Sequence, residues 1–123
     1  MTQNEKDLLL KDLCARLPYG VKVRYSSYEK FITCTLQAID YVYNNVDLWS
    51  KDACFNPVNI SKIKPYLFPL SSMTWEQECQ YREVIASSLN HYEVYDWLNK
   101  NHFDYRNLIG KNLAIDCTNL NIY

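Results

Sequence analysis

From Val21 to Tyr43 apolar and polar residues alternate, and the alternation changes phase once. Val21, Val23 and Tyr25 are interleaved with Lys22, Arg24 and Ser26. A polar turn over 26–30 follows, and then Ile32, Cys34 and Leu36 are interleaved with Thr33, Thr35 and Gln37. Period two is the signature of a strand with one buried face. The apolar set then moves by one residue, to Ile39, Tyr41 and Tyr43. Such a slip turns every later side chain to the opposite face, so a β-bulge near Ala38, or a bend into a second sheet edge there, is expected. Asn44–Asn45 reads as a hairpin turn and Val46–Trp49 as a short returning strand.

The stretch 50–59 reads as a loop punctuated by Asn56–Pro57, with Val58, Ile60 and Ile63 forming a last strand and turn. Pro65 and Pro69 make the next segment too proline-rich for a central strand and suit it to an edge or an extended wrap. Short strands bent by a bulge predict a small curled antiparallel sheet, or a barrel-like one.

Helices flank this sheet. Thr2-Gln-Asn-Glu5 matches a capping box, and Leu9, Leu10, Leu13 and Leu17 form a stripe, with Glu5, Lys6, Asp7, Lys11 and Asp12 facing out. Pro18 ends that helix. Thr74-Trp-Glu-Gln77 is a second capping box, followed by a stripe of Tyr81, Val84, Ile85 and Leu89. In the stretch from Tyr92 to Ile115, Val94, Trp97 and Leu98 share a helical face. Asp104 is placed to cap a second short helix that closes at Gly110. Two such short helices are unstable alone and must dock. The expectation is one α+β domain over residues 1–123. Its C-terminal helices should clamp onto the sheet through Tyr81, Val84, Ile85, Leu89, Trp97, Leu98 and Leu108.

Composition narrows the function classes. Thirteen Lys and Arg stand against fourteen Asp and Glu, so no global field attracts nucleic acid or anionic lipid. Five cysteines, an odd number with no Cys-x-x-Cys pair, suggest neither a disulfide framework nor a zinc site. His91 and His102 are too far apart for a helical ligand pair, so no metal and no cofactor is expected. His102 reads as a turn residue whose partners are backbone groups. The two glycines, Gly20 and Gly110, exclude a glycine-rich phosphate loop. No signal peptide and no membrane-length apolar run is read, which places the chain in a reducing cytoplasm without a membrane partner.

Eleven Tyr and three Trp exceed what so small a core can use. Tyr41, Tyr43, Trp49, Tyr66 and Phe68 are therefore candidate interface residues, some of them expected at the surface. Arg24, Tyr25 and Tyr28, flanked by Lys22, Lys30 and Phe31, interleave bases with rings around one hairpin, a pattern that suits single-stranded nucleic acid. A third reading seats a small nucleotide-like ligand between Tyr side chains and Arg24 or Arg106. No catalytic residue stands out.

Three stretches, Glu5-Lys-Asp-Leu-Leu-Leu-Lys-Asp-Leu-Cys-Ala-Arg-Leu-Pro-Tyr-Gly20, Lys64-Pro-Tyr-Leu-Phe-Pro-Leu-Ser-Ser-Met-Thr74 and Asp96-Trp-Leu-Asn-Lys-Asn-His-Phe-Asp-Tyr-Arg-Asn-Leu-Ile109, resemble small uncharacterised proteins of gut anaerobic bacteria and their phages. The resemblance leaves out most of the strand region 21–63. It implies a phage or mobile-element setting and supplies no chemistry. The function expected is a non-enzymatic interaction module, binding a protein partner or self-associating as an oligomer, in that setting a host protein. Single-stranded nucleic-acid binding and small-ligand sequestration are the alternatives.

Overall fold

The computed structural model describes residues 1–123 as an N-terminal helix, an open mixed sheet and two C-terminal helices, an α+β arrangement. Helix α1 (Gln3–Arg16) starts at the expected capping box, with the Thr2 hydroxyl accepting from the Glu5 amide and the Glu5 carboxylate from the Thr2 amide. Gly20, in the left-handed region at φ 65°, turns the chain out of the short 3-10 turn that follows α1 and into the sheet. Strands β1 (Lys22–Ser27), β2 (Lys30–Asp40), β3 (Asn45–Trp49) and β4 (Cys54–Asn59) form an antiparallel meander. Strand β5 (Ile63–Pro69) lies on the other side of β1, giving the order β4-β3-β2-β1-β5-β6. The sheet is open at β4, so it does not close into a barrel.

The phase slip has the expected cause. Leu36 pairs with Leu48 but Ala38 with Asp47, so Gln37 is the extra residue of a bulge and Ile39 returns to the inner face beside Val46. Strand β2 ends at Asp40, however, and Tyr41 and Tyr43 stand exposed in the following turn. The supposed loop at 50–59 contains β4. Two of its residues, Asn56 and Pro57, oppose Asp47 alone, and the bond between them is cis.

The proline-rich segment is an interior strand rather than an edge. β5 pairs with β1 through Ile63–Pro65, and in parallel with β7 (Ile115–Asp116) at Tyr66–Leu67 and β6 (Phe103–Asp104) at Phe68–Pro69. Pro65 is compatible with this because ladder bonds alternate. Past Val23↔Pro65 the next opposed pair would be Lys22 and Tyr66. There the Tyr123 hydroxyl sits between the strands, accepting from the Lys22 amide at 2.9 Å and donating to the Tyr66 carbonyl at 2.9 Å. That pair is the hydrogen-bonding one, so Pro65 holds a position whose amide is not needed on that side.

Leu9, Leu10 and Leu13 of α1 join Val21, Val23, Cys34, Leu36, Val46, Leu48, Val58, Ile63 and Leu67 in one buried cluster, so α1 seals the inner face of the sheet. Leu108, Leu113 and Ala114 close its end.

The C-terminal part departs most from expectation. Helix α2 (Trp75–Ser87) begins at the predicted capping box, and α3 (His91–Lys100) is capped by Asn90. No residue of α2 is buried, and Ile85 and Leu89 are exposed rather than packed on the sheet. Its tie to the rest is aromatic: Tyr81 stacks on Trp97 at 5.5 Å and Trp97 on Phe103 at 5.7 Å. Phe103 meets Phe68 at 6.1 Å, Phe68 meets Tyr123 at 5.9 Å, and Tyr123 stacks on His102 at 3.7 Å. Trp97 is half-buried, while Leu98 and Leu108 are buried. The second short helix does not form. The Asp104 carboxylate instead accepts from the amides of Arg106, Leu108 and Ile109, closing a turn in which Asn107 has φ 58°.

Candidate functional site

The largest hollow, of about 950 Å³, lies between α1 and the outer side of α3. Tyr92, Tyr95 and Tyr105 supply its rings, Lys11 and Arg106 its cations, Glu93 and Asp96 its anions. Beneath it is the only network of ion pairs in the chain. Asp12, fully buried, accepts from Arg16 Nε at 2.8 Å and from Arg106 Nη1 at 2.7 Å. Arg16, equally buried, donates its Nη2 to the Phe103 carbonyl at 2.6 Å, which pins α1 to β6. Asp12 therefore faces the interior, against the expectation that it faced out. Positions 9, 12, 13 and 16 share one helical face, which was the available signal. Arg106 lies 4.5 Å from the Tyr105 ring centroid, and the Tyr105 hydroxyl donates to Asn99 Oδ1. Tyr19 is tied to Asp96 at the start of this region, a bond that raises the Tyr19 pKa. The cleft brings three rings, two cations and two carboxylates together around one hollow. Its lining includes no Cys, His or Ser.

The outward face of the sheet has a different character. Register puts Lys22 across from Thr35, Arg24 across from both Thr33 and Lys64, and Ser26 across from Phe31. Trp49 is opposite Thr35 on the same face and exposed. Lys30 pairs with Ser27 and so belongs to the other face. Tyr25 also points inward, meeting Phe55 edge-on at 5.1 Å against the core. Tyr28 is fully exposed at the hairpin tip, while Tyr66 is only 7% exposed and Phe68 half-buried within the aromatic run. The sequence candidates are thus distributed over both sheet faces and two turns.

Beside α2, a third region was missed by sequence reading. Leu70, Met73, Tyr81 and Ile85 line a hollow of about 400 Å³, edged by Glu78 and Arg82. Around the arm Trp75, Leu89 and Tyr92 are 77%, 94% and 82% exposed. The stripe itself was legible; that it faces solvent was not.

His102 sits in a turn at φ 64°, and its backbone amide and carbonyl are both bonded, as a turn residue's should be. Its imidazole lies against Tyr123 with Nδ1 buried and unpartnered. Burial, then Arg16 and Lys22, lower its pKa to about 4. Burial raises the Tyr123 phenol above its ordinary value, so the bridging hydroxyl keeps its proton. The five cysteines are free thiols. Burial raises the pKa of Cys117 to about 11 and also raises that of Cys34. No group of three or more His, Cys, Asp or Glu is placed to hold a metal ion, and no helix is long and apolar enough to cross a membrane.

The chain matches no protein-family model, no curated protein and no solved structure.

Proposed function

We propose that the protein is a non-enzymatic interaction module whose partner is a protein gripped by the α2–α3 arm. One observation carries this reading: α2 is a well-capped helix with an apolar stripe and no buried residue. A helix of that length is marginal in water without packing, and contiguous exposed apolar surface marks an interaction site. The hollow beside Ile85 fits an anchoring side chain, with Trp75 and Leu89 as the flanking apolar contacts. The phage or mobile-element resemblance extends the reading to a host target. Light scattering across a concentration series, with capture from host lysate, tests it through Ile85→Asp and Leu89→Asp. The reading predicts a dimer or a captured protein that both variants lose. A monomer that captures nothing, or capture indifferent to both variants, refutes it.

A second reading seats a nucleotide-like ligand in the cleft between α1 and α3, favoured by the stacking of Arg106 on Tyr105. It predicts a thermal shift with a nucleotide panel that Tyr105→Ala abolishes; no shift with any member excludes it.

A further inference from the structure

We propose, independently of the arm, that the outward face of β1, β2 and β5 binds the backbone and bases of a single-stranded nucleic acid. Arg24 and Lys64 face each other directly across β1 and β5, with Lys22 two residues away on the same face. Like charges opposed in this way destabilise a sheet unless something compensates them. No carboxylate does so: both ion pairs of the chain involve Asp12, on the other side of the molecule's core. The Lys22 and Lys64 ammonium groups donate to neutral oxygens, the Ile122 carbonyl at 3.1 Å and Asn112 Oδ1 at 3.0 Å, which orient them and leave their charge intact. Register puts two acids on this face, Asp47 and Asp40, both at its far end beyond the row of Trp49.

Arg24 adds an independent sign. Its guanidinium lies 4.2 Å over the Phe31 ring, and its Nε is buried with no hydrogen-bond partner. No hydrogen bond or ion pair within the chain uses this guanidinium, so beside two further cations its outer donors are left for an anion such as a phosphate. Phe31, 68% exposed, and Trp49 offer rings on the neighbouring strands β2 and β3, with Thr33 and Thr35 between them. A row of cations beside exposed rings on an open sheet face binds single strands through phosphate contacts and base stacking. A duplex keeps its base faces to itself and would use the charges alone.

Fluorescence anisotropy with a labelled oligothymidylate of about twelve nucleotides tests this. Three phosphate contacts give a salt slope near −2 for a single strand, so affinity should fall about 20-fold from 50 to 200 mM salt. Arg24→Glu combined with Lys64→Glu should weaken binding more than tenfold. Thr33→Glu, which puts a carboxylate across from Arg24 at an exposed position, should do the same while keeping the parent's circular dichroism and melting temperature. Trp49→Ala should cost about fivefold or more, the usual value of one stacked base, while Leu89→Asp on the arm should change nothing. The proposal is overturned by no anisotropy change at 100 μM protein in low salt, or by binding unaltered in Thr33→Glu. Equal affinity for a duplex together with a silent Trp49→Ala would also overturn it, reducing the face to a nonspecific polyanion surface.

Discussion

Leu13 of α1 and Ile85 of α2 occupy the same kind of position, an apolar stripe on a helix opened by a capping box. Leu13 is sealed from solvent and Ile85 is half exposed. The difference lies in what each helix meets. α1 lies over the aliphatic face of four antiparallel strands and β5, and its polar residues Asp12 and Arg16 are drawn into the interior with it. α2 meets α3 edge to edge, through Tyr81 on Trp97, and reaches the sheet only through a succession of rings. Capping and periodicity specify a helix; burial is decided by the surface offered to it, which lies elsewhere in the chain.

The sharpest way to break the sheet half is Asp12→Ala. It leaves Arg16 buried without its carboxylate and frees Arg106, and should cost about 3–5 kcal/mol in urea denaturation. Trp97→Ala strikes the joint between the halves. A fully buried tryptophan would cost about 3–5 kcal/mol on truncation, but this one is half-buried, so about 2–3 kcal/mol is expected. Hydrogen exchange should show α2 losing protection while β1–β3 keep theirs.

Smaller effects sharpen the contrast. Tyr123→Phe keeps the ring and removes the hydroxyl between β1 and β5, stranding the Lys22 amide and the Tyr66 carbonyl for about 1–2 kcal/mol. His102 adds a pH dependence. Its folded pKa of about 4 lies below the 6.5 of an unfolded histidine, so between those values the unfolded chain binds more protons. This contribution is complete above pH 6.5 and is lost as pH falls towards 4. It amounts to about 1 kcal/mol once the ring's contact with solvent is discounted. His102→Asn, which tolerates the positive φ, should flatten that slope. Leu89→Ser should change stability by less than about 0.5 kcal/mol, because nothing covers the side chain. A larger loss would mean that the arm is buried in solution.

Much of the sheet was legible because its signals are local. The bulge at Gln37 follows from counting alternation, and both capping boxes follow from four residues each. What was not legible depended on distant partners. Pro65 argues for an edge until the alternation of ladder bonds beside β1 is known. Asp104 has the right chemistry for a helix cap, and the three amides it gathers belong to a turn. The loop reading of 50–59 failed because Asn56–Pro57 disguises an edge strand. Among the candidate site residues, alternation correctly paired Lys22 with Arg24 but could not supply Lys64, which arrives from another strand.

The succession of rings from Tyr81 to Tyr123 has an optical consequence. Coupled aromatic chromophores held in a fixed, handed arrangement give strong near-ultraviolet circular dichroism, to which the aliphatic interior contributes nothing. The part of the signal that comes from Tyr81 on Trp97 is therefore a gauge of how α2 is seated, readable without labels, and it should fade when the arm swings away.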